Sequence, residues 1–143
     1  MKKFIVFPLV LMVIFSCKKN TNNNPSCTTD AASISGSYKI TAYTYKESPS
    51  LPETDYYTIL FPDACERDDI LTFNKNGTYQ KTDAGIVCSP PENDNGTWVL
   101  SGNTVSINGD PETIESFDCK TLVVAFTDFL TPGDKLKITL VRQ

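Results

Sequence analysis

The chain contains no histidine. That removes Ser–His and Cys–His nucleophile pairs, and with them every His-ligated zinc, haem or non-haem iron site. Positive charge is scarce, with 13 Lys and Arg against 17 Asp and Glu, net −4. A nucleic-acid partner needs a basic face to neutralise phosphates, so none is expected. No apolar run reaches the roughly 20 residues a membrane-spanning helix needs. Beyond residue 34 no helical-period apolar pattern extends for about a dozen residues. No nucleophile–base pair is visible, so neither an enzyme nor a cofactor is expected.

What is present begins with an address. Lys2 and Lys3 precede Phe4–Phe15, an apolar stretch of 12 residues that closes on Ser16-Cys17. This length suits a signal-peptide core rather than a span. The Ser-Cys junction looks like a bacterial lipobox, so residues 1–16 are expected to be removed and Cys17 to be acylated as the first mature residue. Each buried acyl methylene contributes about 0.8 kcal/mol to membrane attachment. Loss of Lys2 and Lys3 leaves 11 basic against 17 acidic side chains, net −6. Residues 17–33 (CKKNTNNNPSCTTDAAS) hold almost no large apolar side chain and are expected to form a flexible tether.

The remaining segment, 34–143, alternates apolar and polar residues in short runs separated by Gly, Asn, Asp and Pro. Eight strands are predicted: 36–46, 70–74, 78–87, 96–100, 104–108, 112–117, 120–128 and 135–142. Asn76-Gly77 is a strong hairpin signal, because both central residues of a type I′ turn need positive φ. The Asn-Gly-Thr triplets at 76 and 95 are read as turns. Eight short strands in succession predict an all-β, antiparallel, up-and-down barrel, a closure that removes exposed edges. Alternation predicts an inward row of Tyr38, Ile40, Leu71, Phe73, Trp98, Leu100, Val105, Ile107, Leu122, Val124, Phe126, Leu136, Ile138 and Leu140. These side chains either fill the interior or line a pocket for one small ligand.

With Cys17 acylated, four cysteines remain, enough for two disulfides. In an up-and-down meander, strand parity assigns each to one end of the barrel. Cys65 and Cys88 fall at the end where the first strand finishes. Cys27 and Cys119 fall at the other. Bridged α-carbons lie about 4.4–6.8 Å apart, so the predicted pairs are Cys65–Cys88 and Cys27–Cys119.

Several short elements, in order, resemble the lipocalin-like domain lipoproteins of the Bacteroidetes type. They are Gly36-Ser37-Tyr38-Lys39-Ile40, Cys65-Glu66-Arg67-Asp68-Asp69 before Leu71-Thr72-Phe73, Asn76-Gly77-Thr78-Tyr79, Gly85 with Cys88, and Gly96-Thr97-Trp98-Val99-Leu100. The chain departs from the family at Tyr38, where the family has tryptophan; a tyrosine can still plug the closed end. The resemblance implies a lipocalin-type barrel and names no ligand.

The connection from Glu47 to Asp69 is long for a structureless loop and carries Tyr56-Tyr57-Thr58-Ile59-Leu60-Phe61. Parity places it over the open end, where lipocalins carry a lid. Tyr56, Tyr57 and Phe61, with Tyr38, Phe73, Trp98 and Phe126 inside, are therefore the candidate ligand-binding residues; a plain plug completing the core is the alternative. Glu66, Asp68 and Asp69, and Glu92 with Asp94, match no calcium-loop spacing and offer no evident glycosidase cleft, so no metal site is expected. The expected protein is a lipid-anchored barrel of a bacterial cell envelope, on the outer membrane, with Lys18-Lys19 favouring the periplasmic face. Its expected partners are the membrane and a small hydrophobic ligand, or an envelope protein it contacts or inhibits.

Overall fold

The structure, a computed structural model, describes residues 27–143. The leader 1–16, Cys17 and the first part of the tether lie outside the described residues. Nine strands run antiparallel in one sheet: β1 (Gly36–Lys46), β2 (Thr54–Asp55), β3 (Ile70–Phe73), β4 (Thr78–Thr82), β5 (Asp94–Ser101), β6 (Thr104–Ile107), β7 (Asp110–Phe117), β8 (Thr121–Thr127) and β9 (Lys135–Arg142). β1 pairs with β3 on one side and β9 on the other, so eight strands close into a barrel. The ninth, β2, is a two-residue ribbon on the outer part of β1.

The closure matches the predicted meander, with local departures. β4 ends at Thr82 rather than at Val87. The Asp83 carboxylate accepts the N–H groups of Cys88 (3.0 Å) and Glu92 (2.9 Å), which turns the chain into a loop. β1 slips register between Ile40 and Ala42. One extra residue there reverses the side-chain phase, so the inward row runs Tyr38, Ile40, then Tyr43 and Tyr45. The 47–69 connection is not structureless: besides β2 it contains the short helix α2 (Tyr57–Leu60) and a 3₁₀ turn at Ala64–Glu66.

Both bridges form the expected pairs. Cys27–Cys119 has its α-carbons 5.6 Å apart, and Cys65–Cys88 5.3 Å. The first draws the end of the tether into the domain. Just beyond Cys27, Asp30 caps a single helical turn, α1 (Ala31–Ile34), by accepting the Ser33 N–H at 2.8 Å. The described fold thus includes residues ahead of Ile34.

That turn closes one end of the barrel. Ile34 and Tyr38 are fully buried, and the Tyr38 hydroxyl donates to the Ile34 carbonyl at 2.7 Å. Arg142 lies 5.1 Å over the Tyr38 ring and donates to its hydroxyl at 2.6 Å. The tyrosine therefore serves as the plug, and its hydroxyl is satisfied from both sides. Phe73 packs edge-on against Tyr38 and Trp98, with centroids 5.8 and 5.4 Å away. Trp98 donates its indole N–H to the Asn74 carbonyl at 2.8 Å. Among the described residues, no helix is long and apolar enough to cross a membrane.

Candidate ligand-binding site

Above this packed floor the barrel is not filled. A cavity of about 290 Å³ remains, close to the lower bound of ordinary small-molecule pockets, about 300 Å³. Its walls are the inward residues of the strands, including Ile40, Leu71, Phe73, Val105, Leu122, Val124, Phe126, Ile138 and Leu140. Strand alternation delivers them, because each strand aims every second side chain inward.

The 56–61 segment covers the mouth. Tyr57 stacks on Tyr43 at 6.1 Å with an interplanar angle of 12°, and Phe61 lies 5.0 Å from Tyr43. The Tyr57 hydroxyl stands 2.8 Å from the Ile40 carbonyl and 3.0 Å from that of Arg67, donating its one hydrogen to either. Arg67 in turn donates to the carbonyls of Phe61 (2.7 Å) and Pro62 (2.8 Å). These contacts latch a short aromatic lid onto the rim.

Of the seven candidate binding residues, the structure brings Tyr57, Phe61, Phe73 and Phe126 to the cavity. It places three elsewhere. Tyr56 packs on Tyr45 at 4.9 Å, because the helical turn of α2 sends neighbouring side chains in different directions. Tyr38 and Trp98 sit in the closed end, where their polar atoms are already bonded.

Sequence reasoning weighed Asp69 only as part of an acidic cluster and passed over the rest of the polar lining. Tyr43, Asp69, Tyr79, Lys81 and Glu112 all border the cavity. Asp69 and Lys81 form an ion pair at 2.9 Å, and Lys81 also reaches Glu92 at 3.2 Å. Burial acts to lower the Lys81 pKa, but its bonds to Asp69 and Glu92 outweigh that and hold it above the ordinary value. Asp68 accepts the Ile86 N–H at 2.8 Å, tying the segment before β3 to the Cys88 loop. One oxygen of each aspartate is thus held, while Asp68 Oδ1 and Asp69 Oδ1 are buried with no hydrogen-bond partner among the described residues.

Glu112 differs. Only 7% of it is exposed, yet no hydrogen bond from the described residues reaches its carboxyl. Burial, with a smaller contribution from Asp110, pushes its pKa up from 4.5 to about 7. The Tyr43 phenol is likewise raised, first by burial and then by Glu112, and burial raises Tyr79. A signal for Glu112 was present: it stands in phase with Ile114, two residues on, and so in the inward row of β7.

The arrangement offers a small, largely apolar, covered chamber in whose wall the Glu112 carboxyl has neither an ion pair nor a hydrogen bond among the described residues, while Asp69 is ion-paired and Glu66 accepts the Asp63 N–H. A family model for the lipocalin-like domain matches residues 34–124, which is 91 of the 143 residues. The search of curated proteins returns no match. The matched span includes the plug residue Tyr38, the lid, both cysteines of the Cys65–Cys88 bridge and the strands through Val124, and on that match the chain belongs to the lipocalin-like domain family.

Proposed function

We propose that this is a lipid-anchored protein of a bacterial cell envelope whose barrel holds one small hydrophobic molecule. The observation that carries the ligand is the apolar cavity of about 290 Å³ beneath the Tyr57–Phe61 lid. A filled barrel would leave no such space. The anchor rests on the apolar run that ends at Ser16-Cys17. Nine residues lie between Cys17 and Cys27, and the ten steps from one to the other span at most about 35 Å. Because Cys27 is bridged to Cys119 at the closed end, an anchor through Cys17 would join the barrel at that end. Lys18 and Lys19 favour the periplasmic face of the outer membrane.

One observation favours a second reading, a contact protein. Ile59, Leu60, Ile86, Val87, Phe129 and Leu130 are exposed on the connections at the open end. An apolar rim of this kind suits a protein or lipid surface. Native mass spectrometry of the full-length protein purified from its own envelope separates the two readings. The ligand reading predicts one small hydrophobic molecule per chain, lost in Val124→Phe, which narrows the cavity. An empty barrel that co-purifies with another protein supports the contact reading instead.

A further inference from the structure

Carboxylates and cations are not evenly matched around the cavity. Of its two cations, Lys81 is ion-paired with Asp69 and Glu92, while Arg67 donates to the carbonyls of Phe61 and Pro62 and is in no ion pair among the described residues. Glu112 is not engaged by any described residue, although only 7% of the residue is exposed. A buried carboxyl without a partner carries an uncompensated desolvation cost, and such groups in native proteins call for an explanation.

Glu112 also borders a second space. An outer cleft of about 430 Å³ shares Tyr79, Ile107, Glu112 and Phe126 with the cavity, and its remaining wall includes Asp94 and Asp110. The charged and phenolic groups that line these two spaces with Glu112 are Asp110 on its own strand, Asp94 on β5, Tyr79 and Lys81 on β4, Glu66, Arg67 and Asp69 before β3, Tyr57 in α2 and Tyr43 on β1. Among these the two cations, Lys81 in ion pairs and Arg67 in none among the described residues, are outnumbered by the four carboxyls of Glu66, Asp69, Asp94 and Asp110. The local field repels an anion and attracts a cation.

We propose that the cavity selects an apolar molecule carrying a protonated amine, whose ammonium is received by Glu112 while its hydrocarbon fills the barrel. The proposal rests on the cavity being a ligand site, and adds the chemical class of the ligand. Ligand ammonium and Glu112 carboxylate supply the charge-assisted hydrogen bond that each lacks alone. A fatty acid of the same length would bring a second carboxylate beside Glu112, and the one cation of the described lining outside an ion pair, Arg67, is held at the lid by the carbonyls of Phe61 and Pro62.

The test is a chain-length-matched trio, octylamine, octanol and octanoate, each below its micellar range, titrated calorimetrically into the full-length protein at pH 8. Octylamine is expected to bind roughly ten- to a hundred-fold more tightly than octanol, and octanoate more weakly than either. In Glu112→Gln, checked for a cooperative unfolding transition, the ratio between octylamine and octanol should fall to about one. Lowering the pH towards 5, which protonates the free carboxyl, should shrink the same ratio in the unmodified protein. Octanol binding with no advantage for octylamine, or a preference for octanoate, overturns the amine assignment and leaves the cavity standing. Binding of none of the three overturns the ligand reading itself. An advantage for octylamine that survives Glu112→Gln assigns the cation to another group and also overturns the proposal.

Discussion

Replacing Glu112 with glutamine isolates the cost of the buried carboxyl. In the folded protein its pKa lies at about 7, against an ordinary value of 4.5, because burial disfavours the charge. Below about pH 4 the carboxyl is protonated in both folded and unfolded chains, and it contributes no pH dependence. As pH rises from 4.5 to 7 the unfolded chain ionises first, and the folded state loses stability. Above 7 the loss is complete. At 1.36 kcal/mol for each unit of pKa difference, the full penalty is about 3 kcal/mol. Glu112→Gln removes the charge and keeps the shape. Urea unfolding at pH 4 and pH 8.5 should therefore give a gain in stability for the variant that is larger at pH 8.5 by up to about 3 kcal/mol. A difference that does not change with pH would refute the argument, and so would a loss of stability at pH 8.5, since either result means the carboxylate is well solvated or well paired when folded.

Three further outcomes follow from the same structure. The bridges close loops of different length, with sequence separations of 92 and 23 residues; loop-closure entropy predicts a loss of about 4–5 kcal/mol for Cys27→Ser with Cys119→Ser and about 3 kcal/mol for Cys65→Ser with Cys88→Ser, and urea unfolding giving the reverse order would count against that account. Tyr57→Ala or Phe61→Ala should speed release of bound octanol in a stopped-flow assay, while Tyr56→Ala should not, because only the first two face the cavity; equal effects of all three would deny the lid its stated geometry. A Cβ added at Gly96 would stand 1.8 Å from Asn108 Oδ1, which accepts the Thr97 N–H at 3.0 Å; Gly96→Ala should cost about 1–3 kcal/mol in thermal unfolding, and Asn108→Gly, which tolerates the positive φ at that position, should recover much of it in the double variant.

The topology was legible because closure and period two are strong constraints. Once eight alternating segments are read as a meander, parity alone sends Cys65 and Cys88 to one end and Cys27 and Cys119 to the other, and the bridges follow. The predicted inward row is likewise occupied, from Tyr38 to Leu140, with every member in the core or against it. Alternation failed where the backbone broke it. The slip at Thr41 reverses the phase of β1, so Tyr43 and Tyr45 turn inward although simple alternation from Tyr38 would send them out. β7 slips in the same way between Ile114 and Ser116, which brings Phe117 back to the core. The polar wall was missed for a different reason. Asp69, Lys81 and Glu112 stand in phase with buried apolar neighbours, but apolarity was the cue for inwardness, and it discounts a charge that faces a cavity. The lid was located by length and aromatic content, whereas the choice between Tyr56 and Tyr57 depended on a single turn of α2 that no period reveals.

The central claim is that a small apolar molecule enters the barrel beneath the lid. Methyl-resolved NMR during an octanol titration tests it directly. The account predicts saturable shifts at Leu71, Val124, Ile138 and Leu140 on the cavity wall, with the exposed Ile59 and Leu130 little changed. Shifts confined to the exposed methyls, with the wall residues still, would contradict it.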